Sequence, residues 1–362
     1  MRIAVVGPTY PYKGGGAAHT TELAHRLRDA GHDVVIESWR AQYPSFLYPG
    51  KQTAETPDGE PFPHVLRDLD WRRPDGWVRA GRRLRGADLV VLVVLSPVQV
   101  PPYLGILYGL RRRTRVVALC HNVLPHERKP YDTPLMRALL RRVDTVLVHS
   151  EGQAEKAREL AATPVRVAEM APHLPSGTGG QGGRGPEAGV HDRLLFFGLV
   201  RPYKGLDLLL RALPEGVSLR VAGEFWGGLE GRTRALVAEL GLGDRVELRP
   251  GYVASADLPG LFADVDALVL PYRSGTASQQ VWLGHEHGVP VIASRTGTLG
   301  DHVTDGVDGL LVEPGSVEGL RAALAAFYRS GEPERLRAGV KAVDPGPYWA
   351  SYVETLVSGS PR

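Results

Sequence analysis

The chain has 362 residues, 43% of them hydrophobic and 23% charged, with a formal net charge of +3. That length exceeds what one hydrophobic core fills comfortably, so two domains are expected, and so mild a charge argues against nucleic acid as the main partner. The single cysteine, Cys120, excludes an internal disulfide and a multi-cysteine zinc site, and it fits a reducing cytoplasm. The 44 glycines and 29 prolines, with many Arg and Ala, suggest a GC-rich bacterial source.

In chain order, Arg2 to Val6 reads as a buried strand. The apolar run there meets Pro8 too soon for a signal-peptide core or a spanning helix, so a cytoplasmic location is expected. His19 to Ala30 has helical spacing and ends at Gly31; Asp33 to Ser38 is the second strand. Leu89 to Leu95, Val116 to Cys120 and Thr145 to His149 continue the strands, with helices at Pro101 to Leu110, Pro134 to Arg142 and Glu151 to Leu160. A Gly-rich stretch at 176–192 has no apolar pattern and reads as a linker. The alternation then restarts, with strands at Leu194 to Phe197, Ser218 to Ala222, Val246 to Leu248, Ala267 to Leu270 and Val289 to Ala293. Helices are expected at Leu206 to Leu213 and Leu229 to Leu240. The fold class is therefore α/β, with two Rossmann-like domains whose parallel sheets face a central cleft. Domains are expected at 1–175 and 193–345, with 346–362 crossing back to the first.

Four stretches at strand ends carry chemistry. Gly14-Gly15-Gly16 precedes the first helix, where backbone amides approach an anion closely; a plain flexible loop is the competing reading. His121-Asn122 and Pro125-His126-Glu127 follow a strand, where His121 would contact a sugar hydroxyl or support charge; a capping or merely solvated histidine is the competing reading. Arg201 and Lys204 stand in the loop after Phe197, in position to meet a diphosphate. Thr276, Ser278 and Gln279 lie before a helix, where small hydroxyl residues build an anion nest. Two clusters of that kind in one domain point to a phosphorylated donor.

Asp264-Val265-Asp266 looks like a manganese-binding Asp-x-Asp but reads better as a helix end and strand start, so no metal is expected. Arg67, Arg72, Arg73, Arg79, Arg82, Arg83 and Arg85 surround Trp71 and Trp77, and Arg111, Arg112, Arg113 and Arg115 cluster later. This basic face fits peripheral contact with an anionic membrane surface or, more simply, a solvated helix surface.

Over nearly its whole length the sequence resembles the glycosyltransferase family 4 group of the GT-B fold. The likeness rests on the Gly-rich loop, the His-Asn after a strand, the run from Gly198 to Gly205, Gly288 to Val291, Gly309 to Val312 and the end around Trp349. Three departures stand out. Leu199 occupies the place of a common Arg, leaving Arg201 as its substitute, and the family's Glu pair falls on Gly275 and Leu283. Glu286 is out of register with that pair.

The resemblance implies a retaining glycosyltransferase that uses a nucleotide-diphosphate sugar as co-substrate, a hydroxyl acceptor and no further cofactor. Its front-face mechanism would place Gly15, Gly16, Arg201, Lys204, Thr276, Ser278 and Gln279 on the donor and His121 at the reacting sugar once the cleft closes. A catalytically weak sugar-nucleotide-binding partner protein and a sugar-nucleotide epimerase of the same fold remain alternatives.

Overall fold

The structure is a computed structural model that describes residues 1–44, 51–57, 59–110, 114–125, 127–174, 189–275 and 278–359. Of the expected linker at 176–192, residues 176–188 lie outside the described residues. Two compact units are present: Met1–His173 with Pro345–Arg362, and Leu174–Asp344.

The first unit alternates β1 (Arg2–Val6), α1 (Gly15–Asp29), β2 (Asp33–Ala41), β3 (Val65–Asp70), α2 (Pro74–Arg83), β4 (Leu89–Val94), α3 (Val100–Gly109), β5 (Arg115–Cys120), α4 (Asp132–Leu140), β6 (Thr145–Val148), α5 (Glu151–Leu160) and β7 (Val165–Val167). Its strands are all parallel, in the order β3-β2-β1-β4-β5-β6-β7. Each central strand feeds two cores. Ala4 and Val6 of β1 face one, while Ile3 and Val5 face the other. With both faces covered, the strands read as unbroken apolar runs, as in the fully buried Leu-Val-Val-Leu-Val-Val of β4.

The second unit holds β8 (Arg193–Phe197), α6 (Leu206–Ala212), β9 (Ser218–Gly223), α7 (Leu229–Glu239), β10 (Val246–Pro250), α8 (Leu258–Phe262), β11 (Ala267–Leu270), α9 (Gln280–Glu286), β12 (Val291–Ser294), β13 (Gly309–Val312), α10 (Val317–Phe327) and α11 (Glu332–Gly339). Its parallel strands run β10-β9-β8-β11-β12-β13. In both sheets the strand order reverses beside the unit's first strand, between β1 and β4 and between β8 and β11. Doubly wound sheets open a ligand crevice at the carboxyl ends of the strands flanking such a reversal.

The chain ends in α12 (Pro345–Val357), which belongs to the first unit. Trp349, Tyr352, Val353 and Leu356, spaced as one helical stripe, join the core of Ile3 and Val5. Each such buried side chain contributes about 1.5–3 kcal/mol. Trp349 also donates its indole N–H to the Pro172 carbonyl at 2.6 Å. The carbonyls at the helix end, which have no intrahelical donor, accept from arginines instead. Arg115 reaches Leu356 at 3.1 Å and Val357 at 2.8 Å, and Arg166 reaches Thr355 at 3.0 Å.

Candidate functional site

In the second unit, β8 stops at Phe197 and the chain turns at Gly198, whose φ is 102°. A single 3-10 turn over Pro202–Lys204 leads through Gly205 into α6. Gly205 has a φ of 69°, and a Cβ on it would lie 2.1 Å from the carbonyl oxygen of Pro271, just past β11. Only glycine lets these two backbones meet so closely. Arg273 ties the same loops together: its backbone N–H donates to the Tyr203 carbonyl at 2.7 Å, and its guanidinium grips Asp207 at 2.7 and 2.6 Å.

This arrangement buries Lys204, which is 9% exposed, with its ammonium 5.2 Å from the centroid of the Tyr272 ring. Burial lowers its pKa, and nearby Arg201 lowers it further; only Tyr203 opposes them. Among the described residues no carboxylate pairs with the ammonium. The space around Gly198 is bounded by the same group: a Cβ there would lie 3.5 Å from Nζ of Lys204 and 2.8 Å from Nε2 of Gln280. Oε1 of Gln280 is buried without a hydrogen-bond partner. Burying an ion costs several kcal/mol unless an opposite charge compensates it. Beside the carboxyl end of β8 the chain thus holds a buried ammonium and a buried amide oxygen without a hydrogen-bond partner.

Arg201 places its guanidinium 4.5 Å from the centroid of the Trp226 ring. Ser278 and Gln279 precede α9, and Oγ of Ser278 accepts from the backbone N–H of Gln280 at 3.3 Å. Thr276 lies outside the described residues. Glu286 is half-buried at the far end of α9. Asp266 is fully buried and accepts from the backbone N–H groups of His191 and Arg193 at 2.9 and 3.0 Å. Asp264 accepts from Arg220 at 2.6 and 3.0 Å, and this guanidinium holds its pKa down at about 2. Both aspartates serve as structural anchors. Trp226, Tyr272 and Gln280 went unassigned in the sequence; the signal for Trp226 was its place just beyond a strand ending in Gly223.

In the first unit, Gly14, with φ 93°, precedes α1, whose first residues are Gly15 and Gly16 and whose N-terminus has no side-chain cap. A Cβ on Gly15 would lie 3.8 Å from Nε2 of His173. His121 follows β5 and donates its backbone N–H to the Val94 carbonyl at 3.0 Å. Its ring lies 4.8 Å from His19 and 5.0 Å from His149, and His173 lies 5.2 Å from His19. Burial pushes the pKa of His121 well below its usual value, and His149 and His173 add to the shift. Both effects favour the uncharged ring, which suits contact with a hydroxyl. Asn122 is half-buried, Glu127 is exposed and His126 lies outside the described residues.

The arginine-rich face is more balanced than the sequence suggests. Arg72 pairs with Asp70, Arg73 and Arg79 with Asp75, and Arg83 with buried Glu37. Trp77 is half-buried and donates to the Asp70 carbonyl at 2.7 Å. These partners favour the solvated-surface reading; Arg111, Arg112 and Arg113 lie outside the described residues. No described helix is long and apolar enough to cross a membrane.

Comparison with known proteins places these features in a family. Residues 13–169 match the model described as Glycosyltransferase Family 4, and residues 191–330 match Glycosyl transferases group 1. D-inositol 3-phosphate glycosyltransferase of Segniliparus rotundus is 34% identical over 151 residues, covering 40% of this chain and 33% of that protein. Glycogen synthase of Thermus thermophilus is 32% identical over 161 residues, covering 43% and 35%. The chain thus matches about a third of the length of these curated relatives. Among solved structures, Anabaena HepE in complex with UDP-glucose aligns over 98% of this chain and 99% of that one, at 16% identity and a TM-score of 0.74. With a family model on each unit and this shared fold, the chain belongs to the family 4 type of GT-B glycosyltransferases.

Proposed function

We propose that this protein transfers a sugar from a nucleotide-diphosphate sugar to a hydroxyl acceptor (a glycan, a lipid-linked sugar or a natural-product glycoside) with the anomeric configuration retained. The observation that carries this reading is Lys204, a buried ammonium with a second cation nearby and no carboxylate partner among the described residues. A diphosphate supplies the missing charge. The complex of HepE with UDP-glucose supports the same donor class, and the glycosyltransferase name of a relative supports sugar transfer.

In the front-face reaction, the bond from the anomeric carbon to the phosphate oxygen breaks as the acceptor oxygen bonds to that carbon on the same face. The departing phosphate oxygen takes the acceptor's proton. Arg201, Lys204 and the backbone amides at Ser278 and Gln279 stabilise the negative charge that develops on the leaving diphosphate, as preorganised donors do. In the first unit, the uncharged ring of His121 is able to accept from or donate to a sugar hydroxyl, and the start of α1 at Gly15 and Gly16 is suited to an anion. No metal or further cofactor takes part in this scheme. Gly275 and Leu283, standing where the family carries its Glu pair, favour a second reading, a sugar-nucleotide-binding protein of weak activity.

Calorimetric titration with UDP, GDP and ADP tests the donor site. Lys204→Ala is expected to keep its unfolding midpoint and to lose about tenfold or more in affinity for whichever nucleotide binds, since a charge-assisted phosphate contact is worth about 1.5–3 kcal/mol. Unchanged affinity would remove Lys204 from the site and with it the basis of the proposal.

A further inference from the structure

Beyond their regular strands, β8 and β9 stay zipped for one more step. The backbone N–H of Val200 donates to the Glu224 carbonyl at 2.8 Å, that of Trp226 donates to the Val200 carbonyl at 3.1 Å, and Val200 and Phe225 form a parallel bridge. This extension fixes the backbone of Trp226 beside that of Arg201. The two side chains then stack, both half-buried, with the guanidinium carbon 4.5 Å from the indole centroid. A buried ammonium shares the neighbourhood, since Arg201 contributes to the lowered pKa of Lys204.

Two cations this close repel each other, and an arginine side chain has many rotamers open to it. A tryptophan face narrows them. It attracts the cation through the plane of the guanidinium, whose N–H donors lie around the edge of that plane, where they can grip phosphate oxygens. Held in this way, the side chain loses less rotamer entropy when ligand binds.

We infer that Trp226 is a positioning residue that preorganises Arg201 for the donor diphosphate. The inference rests on the donor-site reading of Arg201 and Lys204 given above, and it adds an aromatic residue that touches no reacting atom. A cation–π contact spans roughly two- to thirtyfold in affinity.

The test is a double-mutant cycle on the full chain, read by calorimetry with whichever of UDP, GDP or ADP the wild type binds most tightly, and by the split of donor KM against kcat. Trp226→Leu is expected to weaken binding at least about fivefold, and Trp226→Phe, which keeps a π face, to stay within about threefold of wild type. Arg201→Ala with Trp226→Leu should bind no worse than Arg201→Ala alone. If Trp226→Leu fails to fold, Trp226→Gln, suited to a half-exposed position, reads the same cycle. A Trp226 loss that adds in full on top of Arg201→Ala would overturn the inference, because the indole would then act on the ligand itself or on the fold. So would an unchanged affinity in Trp226→Leu while Arg201→Ala binds weakly. Wild-type affinity in both Arg201→Ala and Lys204→Ala would instead bring down the donor-site reading, and the inference with it.

Discussion

Gly205 shows how one residue without a side chain sets the chemistry of its neighbour. Its left-handed φ and its close approach to the Pro271 carbonyl hold the loop after β8 against the end of β11, and the ammonium of Lys204 is enclosed as a result. Gly205→Ala is therefore expected to lower the unfolding free energy by about 2 kcal/mol or more, from left-handed strain together with the backbone collision. Urea unfolding reads this directly, and an unchanged midpoint would mean that the loop has room the structure does not show. At this scale the sequence was partly legible. Arg201 and Lys204 stood out because cations flanked by glycines after an apolar strand have few other uses. Trp226 and Tyr272 did not, because an aromatic residue near a strand end is equally at home in the core, and only the distances to Arg201 and Lys204 separate the two roles.

Among the elements, the buried strands were the most legible. β4, β5 and β11 are apolar runs of strand length, and β11 has the bounds read from the sequence. β3 and α2 were not seen. β3 lies at the sheet edge, with Arg67 and Asp68 exposed, and α2 carries two glycines and exposes Asp75, Arg79, Arg82 and Arg83, so neither shows a continuous apolar signal. The histidines beside α12 make a prediction of their own. His19 lies 5.4 Å from Trp349 and 5.3 Å from Tyr352, and His149 stacks on Tyr352 at 5.8 Å. Burial pushes His149 and His173 down to about 4 and His19 and His121 well below the usual histidine value, while Tyr352 and Cys120, both pushed upward, stay neutral. Above pH 6.5 the imidazoles are neutral both folded and unfolded, and their packing is fully stabilising. As the pH falls from there toward about 4, only the unfolded chain takes up protons. Stability then falls by up to about 1.4 kcal/mol per pH unit for each imidazole concerned. Urea unfolding at pH 7.5 and pH 5 should show this loss, and His149→Phe, which keeps the ring and removes the titration, should lose less. An equal loss in both proteins would move the pH dependence away from the cluster.

For the molecule as a whole, the two runs of alternating strands and helices made the α/β class legible, because only sheets buried on both faces write their strands as apolar runs. The strand order in each sheet was not legible, since parallel pairing leaves no local mark in the sequence. It is that order which puts the loop of Lys204 and the loop of Ser278 on strands flanking the same reversal in the second unit. The central claim, sugar transfer with retention, is tested most directly by incubating the full chain with nucleotide sugars and a panel of hydroxyl acceptors in excess chelator and following the product by proton NMR. The expected result is a glycoside whose anomeric configuration matches that of the donor, formed by the wild type and at least about tenfold more slowly by Lys204→Ala. An inverted product, an epimerised donor with no glycoside formed, or transfer that stops in chelator and returns with manganese would contradict it.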